Sequence, residues 1–274
     1  MRNITISLII TTYNWPSALS VVFHSILQQT FPFAQLEIIV ADDGSTEETR
    51  ALVEEWQSKF DCPLLHIWHE DCGFRAAKIR NLAAKSACHD YMIFLDGDCI
   101  LSPNFLKQHA ALAEPNWFVA GNRVLLSEAF SKEVLMGVPA YTYDWLQWMC
   151  AWKQGKINRF LPTFSLPLLG LRKIAKRRWQ GAKTCNLAVW REDFFAVNGL
   201  DEVYEGWGFE DSDLAVRLIN NDIYKKMGQC CVPVYHLHHK EASRQLAKSN
   251  YEALQHTILS HRTWANKGLN QYSK

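Results

Sequence analysis

At 274 residues with 48% hydrophobic content, the chain is long enough to bury a full core as one large domain. A formal net charge of +1 and a pI near 7.6 speak against a nucleic-acid binder and make any charge argument a local one. Eight scattered cysteines with no paired CxxC spacing argue against structural zinc and for reduced, mostly buried thiols.

Met1-Arg2-Asn3 leads straight into Ile4 to Ile10, a β-branched run too short and too strand-like for a signal peptide. No apolar run approaches transmembrane length, so the expected place is the cytoplasmic side. This first strand opens into Thr11-Thr12-Tyr13-Asn14, and Pro16 can start a helix reaching about Gln29. A second strand, Leu36 to Ala41, ends at Asp42-Asp43-Gly44-Ser45, where Ser45 or Thr46 can cap a helix continuing to Lys59. Leu64 to Trp68 reads as a third strand, Arg75 to Ser86 as a basic helix, and Tyr91 to Leu95 as a fourth strand ending at Asp96-Gly97-Asp98. This rhythm predicts a doubly wound, mostly parallel α/β sheet.

In such a sheet the clusters at Thr11 to Asn14, Asp42-Asp43 and Asp96 to Asp98 converge on one rim, the edge where ligands bind. No GxGxxG or GxxxxGK[ST] follows any of these strands, which counts against NAD enzymes and P-loop NTPases. Carboxylates in place of glycine amides suit a diphosphate held through a divalent cation, with Arg75, Lys78 and Arg80 as basic help.

In the second half, Thr184 to Trp190 is a polar stretch passing into a strand, and Arg191-Glu192-Asp193 opens a helix that closes at Asn198-Gly199. The glycines around Trp207 permit a tight loop, and Glu210, Asp211 and Asp213 begin a helix reaching Asn220. Acids in a first turn are stabilised by the helix dipole alone; with Trp207 they also make a platform for a sugar and its hydroxyls. Val232 to His239 is a short strand ending in histidines that can set an imidazole beside a metal, with His236 and His238 on one face at period two. The stretch from Phe130 to Trp179 crowds Tyr141, Tyr143, Trp145, Trp148 and Trp152 before Arg172, Lys173, Lys176, Arg177 and Arg178. It reads either as an interfacial element, about 141–178, facing an anionic leaflet or as a core-packed helix with a solvated basic end.

Ile9-Ile10-Thr11-Thr12-Tyr13-Asn14, Val40-Ala41-Asp42-Asp43-Gly44-Ser45 and Asp96-Gly97-Asp98 together resemble the family 2 glycosyltransferases. Gly206 to Leu214 resembles the GWG(x)ED(x)D segment of β-1,4-galactosyltransferases and of bacterial chondroitin-polymerase-type transferases. The resemblance implies a GT-A fold, Rossmann-like with flanking helices, plus a helical and aromatic insertion. Within one domain spanning 1–274 it implies a nucleotide-sugar half at 1–125 and an acceptor-binding half at 181–274, with the unmatched 126–180 between them a variable insertion for which the membrane-proximal and core-packed readings both stand. The implied activity is inverting and metal-dependent. A sugar moves from a nucleotide sugar, UDP-linked by preference, to a glycan or lipid-linked saccharide in lipopolysaccharide or surface polysaccharide synthesis.

By the same resemblance Thr11, Tyr13 and Asn14 line the nucleotide pocket, and Asp42 or Asp43 accepts a hydrogen bond from the base. Arg80 and Asn81 match family positions near the base and diphosphate, while Arg75 and Lys78 join the donor side only as basic residues of the same helix. Of Asp96, Gly97 and Asp98, Asp98 ligates Mn2+ or Mg2+ and Asp96 touches the ribose or the metal. Asn186, Trp207, Gly208 and Glu210 line the acceptor side. Asp211 is the general base and Glu210 holds hydroxyls, roles that can be exchanged; His236 is the further metal ligand by position, with His238 as the alternative. Thr11 stands where many members have proline. Two other readings are a nucleotidyltransferase, whose glycine-rich Arg/Lys loop is missing near the first strand, and a non-catalytic carbohydrate-binding protein, which needs no metal acids.

Overall fold

Alternation along the first strand sets the layering. In β1 (Ile6–Thr12), Ile6, Leu8 and Ile10 face one core and Ile9 the other, and in β4 (Tyr91–Asp96) Tyr91, Ile93 and Leu95 oppose Met92 and Phe94 in the same way. Strands buried on both faces belong at the centre of a sheet covered by helices on both sides. The computed structural model describes residues 4–240 and 243–272. Its elements in chain order are β1, α1 (Pro16–Leu27), β2 (Leu36–Asp42), α2 (Glu47–Gln57), β3 (Leu64–Trp68), α3 (Ala76–Ser86), β4, β5 (Cys99–Leu101), α4 (Phe105–Leu112), β6 (Trp117–Ala120) and β7 (Asn122–Leu125). There follow α5 (Glu128–Leu135), α6 (Trp145–Lys153), β8 (Asn186–Trp190), α7 (Arg191–Ala196), α8 (Glu210–Asn220), β9 (Tyr224–Met227), β10 (Pro233–His236) and α9 (Ala247–Leu259).

A seven-stranded sheet runs β3-β2-β1-β4-β8-β6-β9, with β8 alone antiparallel to its neighbours. One core packs α1, α2 and α4 on one face through Phe23, Trp56 and Phe105, and a second packs α3, α7 and α8 on the other through Ile79, Phe194 and Leu214. This is the doubly wound, mostly parallel sheet that the strand and helix rhythm predicts, and it agrees with the fold that the resemblance implies. The first strand lies two residues further along than Ile4 to Ile10, so Thr11 and Thr12 belong to the strand and hold fixed positions at its rim.

After the turn at Gly97-Asp98 the chain leaves this sheet and β5 enters a three-stranded one, ordered β5-β10-β7. A third core forms beneath it from Val124, Tyr235, Phe130 and Val134, closed by Trp148 of α6. Trp148 is 3% exposed and stacks on Tyr235 with ring centroids 3.8 Å apart. That part of the aromatic stretch is therefore core, while Trp145 and Trp152 remain exposed. All eight cysteines are free, but only Cys99, Cys185 and Cys230 are buried, fewer than the composition suggests. Among the described residues no helix is long and apolar enough to cross a membrane.

Candidate active site

Parallel register brings the strand ends together: Thr12 lies opposite Asp42, and Thr11 opposite Asp96. Asp42 accepts hydrogen bonds from the Ser45 amide at 2.8 Å and from His66 at 2.9 Å, so it secures the turn after β2. Asp43 accepts from the Arg75 amide at 2.9 Å and from His69 at 2.7 Å, and burial raises its pKa against these two partners. Asn14, with φ 45°, holds the same rim by accepting from the Thr46 amide at 2.8 Å, and Tyr13 lies exposed with its hydroxyl donating to Asp71 at 2.9 Å. Gly97 donates its amide to the Thr11 carbonyl at 2.7 Å, and a Cβ there would press within 3.1 Å of Thr11 and Thr12.

Arg80 is the hinge of the site. It is buried, and its guanidinium donates to Thr11 Oγ1 at 2.9 Å, to Asp96 Oδ1 at 3.0 Å and to Glu210 Oε1 at 3.2 Å. Burial opposes its charge, but Asp96, Glu210 and Asp211 outweigh that and its pKa rises. One side chain thus ties the strand-end rim to the start of α8, 130 residues away in sequence.

Asp98 gathers a different set. Its Oδ2 lies 3.4 Å from His236 Nε2 and 3.1 Å from His239 Nε2, and one ligand atom from each of the three lies within 4.8 Å of the others. Asp96 is not in this group; its Oδ1 accepts from Arg80 at 3.0 Å. Nor is His238: β10 ends at His236, the period-two alternation stops there, and the His238 amide instead donates to Ser131 Oγ at 2.8 Å. The turn brings His239 back towards Asp98. Its Nδ1 is 2.8 Å from the Lys240 carbonyl, which as donor leaves Nε2 facing Asp98. The bond to Asp98 raises the His239 pKa to about 9, whereas burial lowers that of His236. Burial works against the Asp98 charge, yet His239 and His236 prevail and hold its pKa low. One carboxylate and two imidazoles fit Mn2+ better than Mg2+, which prefers oxygen ligands.

At the other end, Gly206 at φ 67°, Gly208 at φ 106° and Phe209 at φ 73° are all left-handed, so the loop turns tightly enough to leave Trp207 partly exposed with Arg244 over its ring at 4.7 Å. Asn250 anchors this loop by donating to the carbonyls of Glu205 at 3.0 Å and Gly208 at 3.1 Å. Asp211 Oδ1 accepts from the Ser212 amide at 2.6 Å, and its other oxygen has no hydrogen-bond donor among the described residues. Burial raises the Asp211 pKa; burial, then Asp211, raises Glu210 to about 7 against the pull of Arg80. Asp213, by contrast, is fully buried against Arg217 at 2.7 Å and Arg262 at 3.0 Å and serves the fold.

Several expected site residues lie elsewhere. Asn81 spends its amide on the Leu200 backbone and on Glu202 at 2.8 Å. Asn186 donates to the carbonyls of Val232 at 2.7 Å and Asn122 at 3.2 Å and meets His109 at 3.1 Å, tying the two sheets together. Neither amide is left for a ligand. The Arg75 and Lys78 side chains line a cavity of about 270 Å³ with Glu202, Tyr204 and Tyr272, on the face of α3 away from Arg80. Arg123 goes unnoticed in the sequence. Parallel pairing sets it opposite Val234, on the same face as His236, and its charge contributes to lowering the His236 pKa.

The glycosyl transferase family 2 model matches residues 7–161, and the model for the N-terminal domain of galactosyltransferase matches residues 172–240. The chain belongs to glycosyl transferase family 2. This family 2 member is 32% identical over 245 residues to the chondroitin synthase of Pasteurella multocida, covering 79% of this chain and 23% of that protein. It is 28% identical over 221 residues to the validoxylamine A glucosyltransferase of Streptomyces hygroscopicus subsp. jinggangensis, covering 78% of this chain and 51% of that one. The chain thus spans about half, or less, of the curated relatives it matches. Among solved structures, S. aureus TarS 1-349 in complex with UDP-GlcNAc superposes with a TM-score of 0.64 at 18% identity, over 97% of this chain and 69% of that one. GalNAc-T7 with UDP, GalNAc and Mn2+ gives a TM-score of 0.62 at 18% identity, over 94% and 48% of the respective chains. Both share the fold.

Proposed function

We propose that this family 2 chain transfers a sugar from a nucleoside diphosphate sugar, UDP-linked by preference, to a saccharide hydroxyl with inversion. One observation carries the reading: Arg80 holds both Asp96 and Glu210, whereas Asp211, next to Glu210 at the start of α8, has no cationic partner within bonding distance among the described residues. UDP-GlcNAc in TarS and UDP with Mn2+ in GalNAc-T7 support the donor class and a divalent ion.

Asp43 accepts the base N–H at the end of β2, and Tyr13 offers its exposed ring beside it. A divalent ion, Mn2+ by the two imidazoles, would be held by Asp98, His236 and His239 and, when bound, would neutralise charge on the departing diphosphate. Arg123 stands on that side as a cation for phosphate oxygens. Trp207 offers a pyranose ring the face opposite Arg244, and Asp211 takes the acceptor hydroxyl proton on its second oxygen as the new glycosidic bond forms and the bond to the diphosphate breaks. The reaction needs no covalent intermediate, and Glu210 is unsuited to act as nucleophile while Arg80 holds it. The acceptor is a glycan or a lipid-linked saccharide of surface polysaccharide or lipopolysaccharide type. Titration calorimetry against UDP- and GDP-sugars with and without Mn2+ tests the donor, and the anomeric configuration of the product tests inversion. Failure of every nucleotide sugar to bind sinks the proposal.

A further inference from the structure

Between Asp144 and Glu192 the chain holds ten lysines and arginines and no aspartate or glutamate. With 29 basic and 28 acidic residues overall, the remainder has nineteen against twenty-eight, a net −9. Charge is therefore strongly sorted in a protein whose total is +1.

Within that stretch the surface is also apolar. Leu166, Leu169, Leu171 and Ile174 are exposed, Leu169 at 80%, Ile174 at 74% and Leu171 at 57%, and exposed Lys176, Arg177 and Arg178 follow directly. Single exposed aliphatics are ordinary, but several together on one ledge are not. The ledge is also pinned. Arg172, buried in its middle, donates to the carbonyls of Met227 at 2.9 Å, Gln229 at 2.7 Å, Leu166 at 2.7 Å and Cys230 at 3.3 Å. The Leu166 amide reaches the Cys230 carbonyl at 2.8 Å, the Lys225 amide the Lys176 carbonyl at 2.9 Å, and Leu169 sits at φ 42°, a conformation leucine rarely takes. Lys173 is neutralised by Glu114, and the acid facing the cation block is Asp222, 3.9 Å from Arg177.

We propose that this ledge seats the protein on an anionic lipid surface, with Leu169, Leu171 and Ile174 entering the headgroup boundary and Lys176, Arg177 and Arg178 meeting lipid phosphates. Charge complementarity selects this occupant. A second copy applied through the same patch would bring an equally positive face against it, and a nucleic acid has no use for exposed aliphatics. The inference stands apart from the donor chemistry.

Flotation with vesicles of phosphatidylcholine alone, or mixed with phosphatidylglycerol, tests it. The parent is expected to float with the mixed vesicles only and to be released as salt rises. Reversing Lys176, Arg177 and Arg178 to Glu lowers partitioning by roughly a hundredfold, at about fivefold per cation. Leu169→Ser with Ile174→Ser, which alters no charge, weakens it too, while both variants keep the parent's circular dichroism and UDP binding. A parent that stays off the mixed vesicles overturns the proposal. So does a serine variant that binds as well as the parent, or a dimer seen by light scattering that the serine variant abolishes. A parent that floats yet binds no nucleotide leaves the membrane inference intact and removes the transferase reading alone.

Discussion

Replacing Glu210 by Gln is expected to stabilise the fold at mildly alkaline pH while reducing activity. Burial, then the neighbouring Asp211, lifts the Glu210 pKa from its ordinary 4.5 to about 7, although Arg80 lies 3.2 Å away. Below the unfolded value both states are protonated and the carboxyl costs nothing. As pH rises towards the folded value the unfolded chain ionises first, and above it the folded protein carries the full penalty. At 1.36 kcal/mol per unit that penalty is about 3 kcal/mol, and glutamine avoids it while its amide oxygen can still accept from Arg80. Urea unfolding of parent and variant through a pH series should show equal stability near about pH 4 and a gap approaching ~3 kcal/mol by about pH 8, at equal m-values. A variant less stable than the parent at the alkaline end would show that the ion pair outweighs burial, and would refute the reasoning.

Asp211→Asn should lower kcat by roughly 10²–10⁴-fold with UDP affinity unchanged, as read from a coupled UDP-release assay beside calorimetry; a parental rate would move the base elsewhere. His239→Ala should weaken Mn2+ binding on the order of 10–100-fold or more in an electron paramagnetic resonance titration, whereas His238→Ala should leave it intact, and the reverse pattern would rule out the ligand set. Asn186→Ala should cost about 1–3 kcal/mol in thermal unfolding, because it strands the Val232 and Asn122 carbonyls, yet leave KM for donor and acceptor unchanged; a selective rise in acceptor KM would restore the acceptor role.

The strands, the rim and the carboxylates at it were legible because each rests on a short window: alternation in Ile6 to Ile10, an apolar run ending in acids at Asp96, glycines around Trp207. Side-chain direction beyond such a window was not. His238 shares a nominal face with His236 only while the strand lasts, and the chain turns directly after His236 to present His239 instead. Asn81 and Asn186 sit within family-like segments, yet their amides hold backbone together, which no local pattern distinguishes from gripping a ligand. In the same way the basic run splits into a buried clamp at Arg172 and an exposed block at Lys176 to Arg178.

By itself, then, the sequence determined an α/β sheet with acids gathered at one edge, since burial periodicity and turn residues act between near neighbours. The tertiary structure alone decided which acid stays unpaired. Arg80 reaches Thr11, Asp96 and Glu210 at once only after α3 and α8 pack on the same sheet face, and that choice, made across 130 residues, leaves Asp211 without a cationic partner among the described residues, which is why it is the base we propose.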